Sequence, residues 1–213
     1  MSRERYILAK QRWAEKQVAA GFRPRVDPAR ERLPPGQKLT QGFPVLDLGV
    51  QPRIPLNEWR LTLDGLLGNP TCLTWDDFNA LPQVSDVSDF HCVTTWSRFD
   101  CRWSGVAFTT LYELARPGPE AQCVYFTGYD GYSTNVSLEQ CLAEDVLIAT
   151  TFEEKPLTLE HGGPARVIIP GLYAWKGAKF VKGISFLAGD KLGFWEVRGY
   201  SSTGDPWKEE RYA

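Results

Sequence analysis

Short apolar segments separated by turn-forming residues are the feature that most limits how this chain can fold. From residue 58 onward, glycine, proline and Asp-Gly pairs interrupt the apolar stretches before a long helix could form. In WRLTLDG (59–65), apolar and polar side chains alternate, which is typical of a strand with one buried face. Thr74 and Ser137 stand where the N-caps of two short helices would lie. The pattern predicts an α+β fold of mixed sheets with short helices.

The composition argues against several classes of protein. The net charge is −2 over 213 residues, so we expect no nucleic-acid partner and no anionic-membrane surface. The longest apolar runs, such as VIIPGLYAW (167–175), are too short to span a bilayer. The first residues carry basic side chains but no apolar core or small-residue cleavage site of a signal peptide. We therefore expect a cytoplasmic protein with no membrane span.

The N-terminal region differs in composition from the rest of the chain. Residues 3–20 are good helix formers without glycine or proline, which predicts a helix. Residues 22–37 are rich in proline and arginine, which favours an extended strap over the domain surface. We place an N-terminal helix and strap at 1–39 and one domain at 40–213.

Cys92 lies in the least regular stretch of the sequence, DFHCVTTWSRFDCRWSGV (89–106). The chain has five cysteines, an odd number without a C-x-x-C pair or zinc-like spacing, and we expect reduced thiols. Cys92 can be a packed thiol beside His91, or a nucleophile with His161 as its base, as in a cysteine hydrolase. It can also be a soft ligand of a metal whose other ligands come from a cofactor. The residues alone leave all three interpretations open.

An ordered series of motifs resembles the sulfite oxidase family of molybdopterin-dependent oxidoreductases. The resemblance covers about residues 40–202 and is greatest to the small haem-free branch that includes the catalytic subunit of bacterial methionine sulfoxide reductase. The motifs are GNPTCLTWDDFNALP (68–82), FHCVTTWS (90–97), WSGVAF (103–108), DGYSTNVSL (130–138), HGGPARVIIPGLYAWKGAKFVKGISF (161–186) and GFWEVRGYS (193–201). The resemblance implies the molybdopterin-binding α+β fold of that family.

The resemblance also assigns the catalytic residues. In the family, the cysteine of the block matching 91–97 ligates molybdenum, which implies that Cys92 is the metal ligand. Coordination deprotonates a thiol without help from a neighbouring base. Tyr132 matches the block that carries the active-site tyrosine, whose hydroxyl can hydrogen-bond an oxo group or a bound oxyanion. Arg98, shortly after Cys92, is a candidate for binding the substrate. Trp96 and Trp103 either wall the site or pack in the core.

The basic stretch 161–183 is predicted to hold the pterin, which ends in a phosphate. Phosphate favours cations and backbone N–H groups, and glycines let the backbone approach a ligand. Of the other cations there, Lys176 fits the same stretch, whereas Lys182 is assigned to a solvated surface. By resemblance the cofactor-binding residues are Cys92, Thr127, His161, Arg166, Gly177, Ala178 and Lys179, of which the last three form the loop at the phosphate side.

The implied activity is two-electron oxygen-atom transfer on a small molecule such as an S-oxide, an N-oxide or a sulfite-like anion, with molybdenum and molybdopterin as cofactors. No haem or iron–sulfur motif is present, so we expect an external electron partner, either a protein or a soluble carrier. No segment matches the haem and dimerisation domains of larger relatives, so we expect a monomer, or a dimer built on some other surface. The alternatives are a cysteine hydrolase using Cys92 and His161, and a non-catalytic molybdopterin-binding protein.

Charge at one position argues against sulfite as the preferred substrate. Sulfite is a compact dianion, and sulfite oxidases surround it with several arginines because a desolvated anion needs paired cations. Asp47 lies about where one arginine-bearing block would lie, and Arg53 and Arg98 supply fewer cations. We therefore expect a neutral S-oxide or N-oxide to fit better than sulfite.

Overall fold

The computed structural model describes residues 32–213 and four N-terminal positions, 4, 7, 8 and 12, which are helical. The rest of the predicted helix 3–20, and the predicted strap up to residue 31, lie outside the described residues. The domain boundary at residue 39 stays a prediction. Within the described part of the chain, no helix is long and apolar enough to cross a membrane.

Strands outnumber helices in the described chain, and the helices are short. The strands are β1 (Lys38–Leu39), β2 (Arg60–Gly65), β3 (Thr71–Thr74), β4 (Gln83–Cys92), β5 (Trp96–Ala107), β6 (Cys123–Gly128), β7 (Ser133–Ser137), β8 (Leu147–Phe152), β9 (Lys155–Pro156), β10 (Arg166–Ile168) and β11 (Val181–Leu187). The α-helices are α1 (Trp75–Ala80), α2 (Phe108–Ala115) and α3 (Leu138–Cys141), and 3₁₀ helices cover Leu159–His161, Ala174–Lys176 and Glu196–Arg198.

Local sequence signals account for these elements. In β2 the alternation predicted from WRLTLDG is confirmed, since Leu61 and Leu63 are buried and Asp64 is exposed. Thr74 caps α1 in a capping box: its Oγ1 accepts the N–H of Asp77 at 3.1 Å, and the Asp77 carboxylate accepts the N–H of Thr74 at 3.0 Å. Ser137 caps α3 in the same way, since its Oγ accepts the N–H of Gln140 at 3.2 Å. Both short helices therefore begin where the sequence predicts.

The strands form two sheets. In the first, β5 pairs antiparallel with β4 and β8 and parallel with β1, while β9 and β10 pair with β8. The second has the order β3-β2-β11-β6-β7, in which only the β2–β11 pair is parallel. These mixed sheets with short helices confirm the predicted α+β class.

The core takes side chains from both sheets. Leu61 and Phe126 of the second sheet pack in one cluster with Val106 and Val167 of the first. Because neighbouring residues of a strand face opposite sides, the first sheet also buries a second cluster that includes Trp103. Strands β4 and β5 form an antiparallel hairpin, and residues at the turn between them line a cleft.

Candidate active site

A cleft lies beside the β4–β5 turn and holds about 800 Å³ of space, counted with its open mouth. Segments distant in sequence supply its walls: residues 43–48, 90–96, 130–132, 161–179 and 195–200. The cleft is therefore built by the tertiary fold and not by one local motif.

Cys92 is the last residue of β4 and lies on the wall of the cleft, 5% exposed. Its Sγ is 3.1 Å from the hydroxyl oxygen of Thr94, which also lines the cleft. The carbonyl of Cys92 accepts the N–H of Thr95 at 3.1 Å, and Thr95 adopts a left-handed conformation with φ of 73°. This tight turn presents the sulfur at the cleft.

His91 faces away from the site because neighbouring residues of a strand point to opposite sides. Its Nδ1 lies 2.8 Å from the hydroxyl of Ser97 across the hairpin. Burial lowers the pKa of His91 to about 4, so the ring is neutral at physiological pH. His91 therefore fastens the hairpin, and it does not serve as a base for Cys92.

Arg166 on β10 brings a buried positive charge to the cleft. It is 2% exposed, and its guanidinium lies 5.2 Å from the ring centre of Phe90. Its Nη1 donates to the carbonyl of His161 at 3.1 Å, but among the described residues no carboxylate pairs with it and its Nε has no hydrogen-bond partner. Burial lowers the pKa of Arg166 to about 10, which leaves it charged at neutral pH. A buried charge of this kind is costly unless a ligand offsets it, so the site suits an anion.

His161 and Lys179 stand next to Arg166 on the same wall. The His161 ring stacks on Phe43 with centres 4.3 Å apart, and burial, followed by the charges of Lys179 and Arg166, lowers its pKa. The ammonium of Lys179 donates to the carbonyl of Glu160 at 2.6 Å, and burial lowers its pKa to about 8. The wall thus offers charged and neutral hydrogen-bond donors.

Tyr132 also lines the cleft. Its hydroxyl donates to the carbonyl of Trp175. Burial, reinforced by the charges of Glu196 and Asp130, raises the pKa of Tyr132 well above its ordinary value, so the phenol keeps its proton. In this arrangement the proton is directed at the protein, and the oxygen is left able to accept.

Three predicted site residues, Arg98, Thr127 and Ala178, do not line the cleft, and their predicted roles stay predictions. Arg98 lies behind Phe43, pairs with Glu153 at 3.4 Å and stacks over Phe152. The other two are held by backbone pairing. Thr127 lies within the second sheet, where a Cβ on its neighbour Gly183 would meet the Thr127 hydroxyl at 2.6 Å. Ala178 is fully buried, and its carbonyl accepts the N–H of Val167 at 2.9 Å.

The remaining residues of the basic stretch differ in whether they line the cleft, are buried in the core or are exposed to solvent. Gly177 lines the cleft, and a Cβ there would meet the carbonyl of Val167 at 2.5 Å, so packing against β10 requires this glycine. Lys176 is buried in an ion pair with Glu196 and does not line the cleft. Lys182 is exposed on β11, as predicted.

Sequence reasoning missed most of the apolar wall. Trp96 lines the cleft, whereas Trp103 is buried in the core, which resolves the alternative left open for both. Phe43, Trp175, Trp195 and Tyr200 line the cleft but were not predicted. The last three stand in quoted motifs, yet one sequence does not distinguish a wall residue from a core residue.

Comparison with known protein families matches residues 48–195 to the oxidoreductase molybdopterin-binding domain. An uncharacterized oxidoreductase of Bacillus subtilis, YuiH, is 41% identical over 182 residues, which cover 85% of this chain and 92% of that protein. The chain belongs to the family of molybdopterin-binding oxidoreductase domains.

More distant relatives of this molybdopterin-binding domain have named activities. A putative protein-methionine-sulfoxide reductase subunit of Azospira oryzae, YedZ1, is 30% identical over 68% of this chain and 55% of that protein. The catalytic subunit MsrP of the Campylobacter jejuni protein-methionine-sulfoxide reductase is 26% identical over 68% of this chain and 54% of that protein. The chain thus spans about half the length of these two relatives. The sulfane dehydrogenase SoxCD of Paracoccus pantotrophus shares the fold, with a TM-score of 0.60 and 20% identity over 70% of this chain and 42% of that one.

These findings confirm the predicted sulfite oxidase family, the enzyme class and the molybdopterin cofactor. The predicted function, a molybdopterin-dependent oxidoreductase, is confirmed with them. The described residues also fit the cofactor chemically. Cys92 offers a soft sulfur ligand, and Arg166 offers a buried Nε that lacks a partner among the described residues. Cations and neutral donors are what a terminal phosphate and a pterin ring require.

Proposed function

We propose that this protein is a molybdenum oxygen-atom transferase in which Cys92 is the protein ligand of the metal. One observation supports this above all others. The fold brings the cysteine of the family block to a cleft wall beside Arg166, a buried guanidinium for which no described carboxylate offsets the charge. A thiolate and an uncompensated cation together suit a metal held by an anionic organic cofactor.

The basic wall would hold the cofactor. Arg166 would donate from Nε and its remaining N–H groups, and Lys179 would donate from its ammonium to the phosphate end. His161 is neutral because its pKa is lowered, and it stacks on Phe43, so its ring is fixed to donate one hydrogen bond. Gly177 lets this loop pass close to β10. When bound, the molybdenum cofactor supplies two-electron oxygen-atom transfer.

Tyr132 contacts the substrate oxygen. Its raised pKa keeps the proton on the phenol, so it acts as a hydrogen-bonding group and not as a base. To donate to a substrate oxygen, the hydroxyl must leave the carbonyl of Trp175, while its lone pairs can accept without that change. The side chain therefore orients substrate at the cleft.

The substrate is a neutral S-oxide or N-oxide. Two carboxylates, Asp47 and Asp130, line the cleft, and either would repel a dianion. Arg98, the cation predicted to hold such a dianion, is engaged with Glu153 behind the wall. Arg166 and Lys179 are assigned to the cofactor. The aromatic wall favours an oxide with apolar substituents.

Steady-state assays test this proposal. Sulfite oxidation is followed with ferricyanide, and reduction of a panel of S- and N-oxides with a reduced viologen. We expect the highest kcat/KM for a neutral oxide. Asp47→Asn, which removes one carboxylate without changing its size, should improve turnover of sulfite relative to the oxides. If sulfite has the highest kcat/KM in the wild type, the charge argument is wrong.

An external electron partner is part of this proposal, as are a monomeric state and a cytoplasmic location. The family assignment weighs against a cysteine hydrolase. A non-catalytic molybdopterin-binding protein is distinguished by assay, since it would retain molybdenum yet turn over with no electron carrier.

A further inference from the structure

The turn that carries Cys92 is held by two side chains that lie outside the matched family region of 48–195. The first is Gln37, just before β1. Its amide Nε2 donates to the carbonyl of Cys92 at 3.0 Å, and the bond is buried. Next to it, the N–H of Lys38 donates to the carbonyl of Thr95 at 2.9 Å. Residues 37 and 38 therefore form hydrogen bonds with the first and last residues of the turn.

The second side chain is Arg211, which is 1% exposed. Its Nη1 donates to the carbonyl of Val93 at 2.7 Å, and its Nη2 donates to the carbonyl of Pro35 at 3.3 Å. The guanidinium stacks over Tyr173 at 4.7 Å, and Tyr173 pairs with the backbone of His91. One planar group thus joins the turn to the segment before β1 and to the 3₁₀ helix beside the cleft.

These contacts fix the direction of the Cys92 side chain. The carbonyls of Cys92 and Val93 belong to the two peptide units that follow the Cys92 Cα, so holding them limits rotation of the backbone that carries Sγ. The guanidinium fork holds two acceptors in a fixed geometry, which a single ammonium does not reproduce. Groups that orient a metal ligand from behind typically change metal affinity when they are removed.

We propose that Gln37 and Arg211 are positioning residues for the Cys92 thiolate. The proposal rests on the proposed function in one respect, that Cys92 ligates molybdenum. It adds that the geometry of this ligand is set by the segment before β1 and by Arg211, whose contacts with the turn span 55 and 118 residues of sequence.

The first test uses the full chain without cofactor and measures alkylation of each cysteine by iodoacetamide, resolved by peptide mass spectrometry. Gln37→Met removes one donor without changing charge, and exposed Gln122→Met is its control. We expect Gln37→Met to raise the plateau rate of Cys92 at high pH about fivefold, the factor that loss of one ordinary hydrogen bond allows. The fully buried Cys101 and Cys141 should react as slowly as in the wild type. Equal rates for Cys92 in Gln37→Met and Gln122→Met, or acceleration of all three thiols together, would overturn the proposal.

The second test uses the cofactor-loaded protein and its visible sulfur-to-metal absorption. Arg211→Met should shift this band and speed the loss of molybdenum, and Arg211→Lys should restore both in part because it keeps the charge and one donor. Arg102→Lys, at an exposed ion pair on β5, should change neither. If Cys92→Ala leaves the band unchanged, the proposed ligand is wrong. If Cys92→Ala abolishes the band while Arg211→Met leaves it at the wild-type position, the ligand stands and the positioning role fails.

Discussion

Arg166 and Lys176 are two buried cations ten residues apart in one basic stretch, yet the fold uses them differently. Lys176 pairs with Glu196 at 2.7 Å and also donates to the carbonyls of Asn135 at 2.9 Å and Ser202 at 2.7 Å. Arg166 donates to one carbonyl, pairs with no described carboxylate and leaves its Nε unsatisfied within the described residues. One cation is offset by protein, and the other is left for a ligand.

The difference shows what burial of charge means in this protein. Burial lowers the pKa of both groups, and in Lys176 the carboxylate of Glu196 opposes that effect. Removing a buried partner leaves the other charge uncompensated, whereas removing an uncompensated charge relieves a cost. Lys176 should therefore matter for stability, and Arg166 for cofactor binding.

The largest effect is expected from Lys176→Met. The substitution leaves the Glu196 carboxylate buried without its cation, which should lower the free energy of unfolding by about 3–5 kcal/mol. Urea unfolding of the cofactor-free chain measures this, and Lys182→Met on the exposed side of β11 is the matched control. A loss below about 1 kcal/mol, the size of a surface ion pair, would show that the pair is not structural.

Arg166→Met should give the opposite pattern. The cofactor-free chain should be as stable as the wild type or more so, because a buried charge without a described counter-ion is gone. Cofactor retention should weaken by about 1.5–3 kcal/mol, the value of one charge-assisted hydrogen bond. Molybdenum content after dialysis measures the second effect. Destabilisation of the cofactor-free chain as large as in Lys176→Met would remove the distinction between the two cations.

A smaller, pH-dependent effect is expected from Lys179, whose pKa is lowered by burial from 10.5 to about 8. Between these values the unfolded chain binds more protons than the folded chain, so the free energy of unfolding rises with pH across that window. In the same pH range the affinity of the chain for the terminal phosphate of the cofactor should fall, because Lys179 loses its proton and its charge. Lys179→Met should remove the contribution to stability and Lys182→Met should not, as judged by unfolding at a series of pH values. An unchanged slope in Lys179→Met would mean that the pKa of this ammonium is not lowered in the folded chain.

The smallest effect is expected from Arg98→Gln. Arg98 forms a partly exposed pair with Glu153, and such pairs contribute about 0–1 kcal/mol. Since the side chain does not line the cleft, kcat/KM should stay at the wild-type value for neutral oxides and for sulfite alike. A selective loss of sulfite turnover would restore Arg98 as a substrate-binding residue.

Local features were predictable from the sequence because their causes are local. The alternation in β2 and the Thr74 cap depend on residues within a few positions, and both are present. Cys92 and Arg166, which the resemblance assigned to the metal and the cofactor, line the same cleft. Thr127 does not line the cleft, and its place in the sheet depends on pairing with Gly183, 56 residues away, which the local sequence does not show.

Long-range contacts account for the rest of what the sequence did not reveal. Lys176 and Arg166 are both cations of one basic stretch in the sequence. They differ because Glu196, distant from both in sequence, packs against Lys176 and forms an ion pair with it. The hydrogen bond from Arg211 to the carbonyl of Val93 joins residues 118 positions apart, and neither sequence segment has a pattern that predicts it. Residue type and spacing fix neither relation, because each depends on how the sheets and the C-terminal segment pack.

Molybdenum analysis combined with the visible spectrum tests the central claim most directly. The wild-type protein, purified from cells that make the cofactor, should contain molybdenum and show a sulfur-to-metal absorption band. Cys92→Ala should lose the band and all turnover, while Cys72→Ala, at an exposed thiol, should keep both. A wild-type protein without molybdenum, or a band that survives in Cys92→Ala, would contradict the assignment of Cys92 as the metal ligand.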